Sequence, residues 1–375
     1  MLNIDRIELR EIHLSLKEPF HISSGAVQHR RILLLRVYDK SGAVGWGECV
    51  AGEYPNYSAE TIDTAWLAIT QWIAPQILGK PLQHPGEIYP FLNRSIRGHN
   101  MAKAAVEMAA WELAARLQNQ SLSRFLGGSR DKIATGISIG IQKNPQALVQ
   151  KARQAFATGY RKVKIKIKPG ADIAFVAAVR EALGPDVPLM VDANNAYSLG
   201  DAQHLKKLDA FRLMMIEQPL AHDDLLRHAA LQKQLNTPIC LDESITCVER
   251  AQDMIQLGSG RIINIKPGRV GGFAQAKAIH DLCQENGIPV WCGGMLESGI
   301  GRAHNVALAS LPNFKLPGDL SPSQRYWQKD IVEPEWTMDS EGYVQVPAGK
   351  PGMGVEVNLE WVEKITVRKQ LLPSS

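Results

Sequence analysis

Arg161-Lys162-Val163-Lys164-Ile165-Lys166-Ile167-Lys168-Pro169-Gly170 places four lysines at alternate positions of one short run. Asp192, Glu217, Asp242 and Lys266 follow Lys166 at spacings of 26, 25, 25 and 24 residues. Each closes an apolar run: Pro188-Leu-Met-Val-Asp192, Leu213-Met-Met-Ile-Glu217, Pro238-Ile-Cys-Leu-Asp242 and Ile262-Ile-Asn-Ile-Lys266. A charged strand end at this interval, with a helix-like stretch between, is the rhythm of a β/α barrel, whose strands all end at one mouth. Side chains alternate faces along a strand, so Val163, Ile165 and Ile167 share one face and the four lysines the other. A barrel interior is packed, and unpaired ammonium groups there would be costly. Lys164 and Lys166 are therefore expected at the mouth, with Lys162 and Lys168 at opposite rims. The plainer alternative is an edge strand with a solvated lysine face.

Strands are expected at 133–141, 162–167, 188–193, 212–217, 238–242, 261–266, 289–294 and 315–319. Helices such as Pro145-to-Thr158, with Asn144 as N-cap and Pro145 in its first turn, and Phe273-to-Asn286 separate them. Eight parallel strands alternating with helices suggest a closed barrel. Before them, residues 3–50 read as an antiparallel meander interrupted by a turn-rich loop, Glu18-Pro-Phe-His-Ile-Ser-Ser-Gly-Ala26. Residues 58–126 read as helical, with Ala104, Ala105, Met108, Ala109, Leu113, Ala114 and Leu117 on one face. Leu126-Gly-Gly-Ser-Arg is a helix stop near a domain boundary. After Ser321 the alternation ends, and 335–375 reads as short strands and turns packing back on the first domain.

The bulk properties narrow the function. A chain of 375 residues, 45% hydrophobic and 21% charged, can bury a large core, and a dispersed net charge of +4 offers no nucleic-acid or membrane surface. Five cysteines without a C-x-x-C pair argue against a disulfide framework. The charged start Met1-Leu-Asn-Ile-Asp-Arg lacks a signal-peptide pattern, so a cytoplasmic setting is expected.

Asp192, Glu217 and Asp242 on consecutive strand ends offer hard oxygens suited to octahedral Mg²⁺; the competing role for any one of them is a helix N-cap. Asn194 could support this shell. Lys166 and Lys266 fall nearly across the barrel, with the metal between. A cation chelating a carboxylate acidifies the adjacent α-proton, which a neutral lysine could take. Lys164 and the cation are expected to lower the pKa of Lys166, and Arg269 that of Lys266. Gly268-x-x-Gly271-Gly272 lacks Walker spacing and reads as a tight turn.

As a set, Lys164-x-Lys166, Asp192-Ala-Asn194, Glu217-Gln-Pro, Asp242-Glu243-Ser244 and Lys266-Pro-Gly-Arg-Val-Gly-Gly resemble the enolase superfamily, muconate lactonising enzyme branch. Gly293-Gly-Met-Leu-Glu-Ser-Gly-Ile-Gly-Arg-Ala-His-Asn and Gly318-Asp-Leu-Ser-Pro-Ser-Gln-Arg-Tyr-Trp are similar to its o-succinylbenzoate synthase / N-succinylamino acid racemase group. The resemblance implies an α/β fold, a modified (β/α)7β TIM-type barrel with an α+β capping domain. It implies domains at 1–128 (cap), 129–322 (barrel) and 323–375 (return to the cap), with Phe20 to Gly25 and Glu53 to Tyr57 closing the mouth. It implies Mg²⁺, with Mn²⁺ as substitute, on Asp192, Glu217 and Asp242, and Lys164, Lys166 and Lys266 as catalytic lysines. Phe20, Ser138, Asn194, Glu243, Arg269, Met295 and Tyr326 would bind substrate or support the site. The expected partner is a small-molecule carboxylate, without nucleic acid or membrane, in a homo-oligomer. Dehydration to o-succinylbenzoate and racemisation of N-succinylamino acids share a first half-step and stay open here. So do muconate-type cycloisomerisation, dipeptide epimerisation and a non-catalytic carboxylate-binding barrel. Related dipeptide epimerases carry Asp-x-Asp after the eighth strand, where this chain has Asp319-Leu-Ser321.

Overall fold

The computed structural model describes residues 2–22 and 25–373. Leu2–Ile22, Gly25–Asp39 and Val44–Cys49 form the expected antiparallel meander, and Thr366–Pro373 returns to pair with the free edge of the first strand. The first strand runs through most of the segment read as a loop. Phe20 pairs with Val27 and His21 with Ala26, so both sides of that segment are extended; residues 23–24 lie outside the described residues.

Helix Asn100–Leu117 packs on this sheet and is buried from Met101 to Ala115. A helix apolar on every side must be wrapped by other elements, and this one is wedged between sheet and barrel. Its buried charges are satisfied. Lys103 Nζ donates to Asn93 Oδ1 (2.9 Å) and the Ile96 carbonyl (2.7 Å). Glu107 accepts the N–H groups of Phe273 (2.8 Å) and Ala274 (2.9 Å) and the Trp111 indole (2.6 Å).

Phe273 opens the barrel helix Phe273–Glu285, whose N-cap, Gly272, has no side chain to offer. The cap helix thus supplies the missing acceptor from another part of the chain. Gly272, at φ +122°, is required here, because a Cβ would lie 2.3 Å from Glu107 Oε2. Glu48, on the third meander strand, does the same for helix Gly299–Ala309, accepting from Ser298 N (3.0 Å), Ser298 Oγ (2.6 Å) and Gly301 N (2.9 Å).

Seven parallel strands follow in sequence order: Ile137–Ile139, Val163–Lys166, Leu189–Asp192, Ile216–Glu217, Ile239–Leu241, Ile262–Ile265 and Val290–Cys292. Two of the sequence assignments change. The run 133–141 divides, with Lys132–Ala134 pairing antiparallel with Tyr343–Gln345 and only Ile137–Ile139 joining the barrel. The run 315–319 is not a regular strand. Pro317 has no N–H to donate, and closure rests on single bonds: Asp319 N to Cys292 O (2.9 Å), Gly136 N to Gly318 O (2.6 Å) and Gly318 N to Ala134 O (3.1 Å). Val163–Lys166 lies inside the sheet, which excludes the edge-strand alternative. Asn144 caps helix Pro145–Ala157 through Ala147 N–H at 2.8 Å, as the sequence implied. Met190, Met215, Cys240, Ile262 and Trp291 form a small buried cluster of their own. Among the described residues no helix is long and apolar enough to cross a membrane.

Burial pushes the Glu107 carboxyl up to about 8 and Glu48 up to about 7. A carboxyl raised above its unfolded value stabilises the fold fully at low pH and loses that contribution as pH climbs through the folded value. Thermal stability should therefore fall between roughly pH 5 and 9, and Glu107→Gln should flatten the fall. Glu107→Ala, which orphans two buried donors and a half-buried one, should cost about 2–5 kcal/mol in denaturant titration.

Candidate active site at the barrel mouth

The parallel register sets the charged strand ends side by side, Lys166 opposite Asp192 and Asp192 opposite Glu217. Lys166 Nζ donates to Asp192 Oδ2 (2.6 Å) and Asn194 Oδ1 (2.7 Å). Lys164 Nζ donates to Glu217 Oε2 (3.1 Å) and pairs with Asp319 Oδ2 (2.6 Å) and Asp192 Oδ2 (3.5 Å). At the other end of the row, Lys266 Nζ donates to Asp242 Oδ2 (2.7 Å), and Arg269 holds Asp242 Oδ1. Asn264 Nδ2 donates to Glu217 Oε1 (2.7 Å). Glu243 Oε1 accepts from Asn194 (3.2 Å) and Asn195 (3.3 Å), while its Oε2 is buried without a hydrogen bond. Gln218 ties two strand ends, accepting from Asp242 N (3.0 Å) and donating to Ser244 Oγ (2.7 Å). Asn194, Asn195 and Gln218 all have positive φ (+41°, +64°, +39°), the kind of backbone strain that collects at working sites.

Burial, then the charges of Asp192 and Asp242, push Glu217 up to about 8. Burial and the same two aspartates push Glu243 up to about 7. Burial would raise Asp192 and Asp242 too, but Lys166 and Lys164 hold Asp192 low, and Lys266 and Arg269 hold Asp242 low. The expectation that Arg269 depresses Lys266 is corrected. Burial lowers the Lys266 ammonium, yet Asp242 and Tyr57 outweigh it and keep the group above its ordinary value. Asp242 stands between the two cations and binds both.

Among the described residues no three His, Cys, Asp or Glu side chains are gathered into a ready metal cage. Lys166 and Lys266 instead occupy oxygens of Asp192 and Asp242. The donor set nonetheless fits a hard divalent cation: Asp192, Glu217 and Asp242 are each at most 1% exposed, and Glu217 is raised by the other two.

Lys162 corrects the sequence reading. It does not sit at a rim but is fully buried, 3.6 Å above the Trp291 ring and 3.3 Å from Asp319 Oδ1. Lys168 is exposed. Ser138, opposite Lys164 in the first strand, is buried with its hydroxyl unpartnered. Phe20 and Tyr326 meet around a cavity of about 20 Å³ that Ile139 and Gly140 also line. Met295 lies elsewhere, half-buried against the core of the cap together with Tyr57.

Sequence reasoning named the segment Glu53–Tyr57 but missed what Tyr57 does. Its hydroxyl donates to Asp242 Oδ1 (2.9 Å) and lies 3.3 Å from both Lys266 Nζ and Arg269 Nη1, with the ring 4.5 Å from that ammonium. A cavity of about 730 Å³, large enough for a small-molecule ligand, reaches Tyr57, Glu243 and Arg269 along the seam between cap and barrel. Gln218 and Ser244 stood in motifs already noted. Asn264 and Tyr57 carried no spacing signal.

A capped barrel with lysines at both ends of a buried carboxylate row defines an enzyme of acid–base chemistry at a carbon beside a carboxylate. Residues 147–361 match the family described as Enolase C-terminal domain-like, and residues 6–127 match the mandelate racemase / muconate lactonizing enzyme N-terminal domain. The chain belongs to the enolase superfamily, whose shared mechanism is Mg²⁺-dependent proton abstraction. It is 50% identical over 365 residues to the o-succinylbenzoate synthase of Geobacillus kaustophilus, covering 97% of this chain and 96% of that one. It is 45% identical to the N-succinylamino acid racemase of Amycolatopsis sp, covering 98% of this chain and 99% of that one. An enolase superfamily member from Listeria innocua superposes over 100% of both chains with a TM-score of 0.96 at 40% identity.

Tyr57→Phe removes the hydroxyl that joins Asp242, Lys266 and Arg269 while keeping the ring. The variant should fold with unchanged circular dichroism and lose about 10–100-fold in kcat, the scale of one hydrogen bond to a charged group.

Proposed function

We propose that this chain abstracts the α-proton of a carboxylate with Mg²⁺, dehydrating its substrate to o-succinylbenzoate, racemising N-succinylamino acids, or both. The observation that carries the reading is the placement of Lys166 and Lys266 at opposite ends of the row Asp192, Glu217 and Asp242. Those three acids would hold the cation, with Mn²⁺ as a substitute. When bound, it would draw electron density from the substrate carboxylate and so stabilise the negative charge left by proton removal.

The residues divide the remaining work. Lys166 Nζ takes the α-proton on one face, and Asn194 fixes its direction. Lys164 offers a second positive charge to the developing enediolate. In dehydration, Lys166 returns its proton to the departing hydroxyl, which leaves as water, while Lys266 stays an ammonium. In racemisation, Lys266 protonates the opposite face, and the two lysines exchange roles in reverse. Arg269 and Tyr57 hold Asp242 and Lys266 in register. Phe20, Ser138, Met295 and Tyr326 would contact the distal part of the substrate, and Glu243 would brace Asn194.

Asp319 bears on the rivals. Its two oxygens face Lys162 and Lys164, so a dipeptide's free amine would find no unclaimed carboxylate there. This favours a succinylated or aromatic acid. Muconate-type cycloisomerisation and simple carboxylate binding are separated by assay. In this reading the enzyme works in the cytoplasm as a homo-oligomer, with residues 1–128 and 323–375 as cap and 129–322 as barrel.

Excess chelator should abolish turnover, and Mg²⁺ or Mn²⁺ should restore it. Asp192→Asn, Glu217→Gln and Asp242→Asn should each cost about 1,000-fold or more. Full activity in excess EDTA would overturn the metal assignment.

Proton NMR in D₂O resolves the two bases. Lys166→Ala should still exchange the α-proton of one enantiomer of an N-succinylamino acid, and Lys266→Ala only that of the other. Wild-type exchange of both enantiomers by either variant would overturn the assignment.

A further inference from the structure

Lys162, Asp319 and Lys164 form a buried line of alternating charge beneath the site. Lys162 has no exposed surface and rests on the face of Trp291 at 3.6 Å, an aromatic contact that partly replaces its lost hydration. The fold makes room for it: a Cβ on Gly136 would lie 2.5 Å from Lys162 Cε. Its carboxylate partner is Asp319, with Oδ1 3.3 Å away. The other oxygen, Oδ2, is 2.6 Å from Lys164 Nζ, closer than either Glu217 (3.1 Å) or Asp192 (3.5 Å).

Asp319 is also fixed through its backbone. Its N–H donates to Cys292 O (2.9 Å), its carbonyl accepts from Arg302 Nη1 (3.0 Å), and Gly318 bonds to both Ala134 and Gly136. The carboxylate is therefore a stationary anchor. Lys164 is a flexible side chain beside two acids that the proposed metal also needs. Without Asp319, its ammonium would turn fully toward Asp192 and Glu217.

We propose that Asp319 is a positioning residue: it holds Lys164 from below, keeping that ammonium aimed at the substrate carboxylate and partly withdrawn from Asp192 and Glu217. Lys162 is the counter-ion that keeps Asp319 charge-balanced once Lys164 is engaged above. The inference rests on Lys164 being a catalytic group, as proposed above.

A double-variant experiment separates aiming from simple charge balance. Asp319→Asn leaves Lys162 and Lys164 facing a neutral amide, so both Tm and kcat should fall. Adding Lys162→Met removes the stranded cation with a side chain of similar length that still packs on Trp291. The pair Lys162→Met/Asp319→Asn should recover most of the lost Tm yet stay about 100-fold below wild type in kcat, the cost of a misdirected group. Mg²⁺ affinity of the metal-free double variant, measured by calorimetry, should fall as well, because Lys164 now competes for Asp192 and Glu217. If kcat and Mg²⁺ affinity return together with Tm, Asp319 is only the counter-ion of Lys162, and the proposal is overturned. If Asp319→Asn does not fold, the double variant alone decides, by the same two readings. Lys164→Ala tests the underlying assignment separately: wild-type kcat there would remove Lys164 from the chemistry, whatever the Asp319 variants do.

Discussion

A buried carboxylate cannot stay ionised without a cation or hydrogen-bond donors beside it, because burial strips away the water that solvates the charge. That constraint organises the barrel mouth. Asp192, Glu217, Asp242, Glu243 and Asp319 are all buried, and Lys162, Lys164, Lys166, Lys266 and Arg269 thread among them. The two sets match one for one in number, five acids to five cations. A divalent cation entering the cluster would displace ammonium groups from the carboxylates they now hold. In the proposed reading, metal binding would also free the lysines. A lysine bonded to a carboxylate oxygen is a poor base, and one released into the mouth beside a cation is a better one.

The same physics joins the two halves of the chain. Glu107 and Glu48 reach out of the cap to the N-termini of two barrel helices, where unpaired N–H groups and the helix dipole favour a carboxylate. Tyr57 makes a third connection, directly onto Asp242 and Lys266. The cap is therefore hydrogen-bonded into the charged cluster that it covers.

Much of the barrel and its charged mouth was legible in the sequence, because strand-end charges at a period near 25 residues arise in few other architectures. The lysine strand showed which side chains share a face, and that parity holds in the structure. Depth was misjudged. Nothing near Lys162 announces that Asp319 and Trp291, far along the chain, make an interior place for it. The Phe20 segment read as a loop from its Pro19 and small residues, yet ladder bonds to the second strand keep it extended. The last barrel segment read as a strand from its place in the strand–helix alternation, although Pro317 breaks the ladder that would define one. Tyr57 could not have been found, since its target lies 185 residues away and no pattern links them.

The two cap-to-barrel glutamates make the chain hard to divide. A barrel deprived of its cap would present the amides of Phe273, Ala274, Ser298 and Gly301 with no acceptor, at the ends of helices that support the sixth and seventh strands. Recombination between relatives meets a looser constraint at the hairpin carrying Phe20, which reaches the barrel through backbone bonds such as Ile141 N to His21 O (3.1 Å) and not through a helix N-terminus. It cannot exchange the sheet and its central helix unless the incoming elements carry an acid at both positions. The joint between cap and barrel is thereby inherited whole.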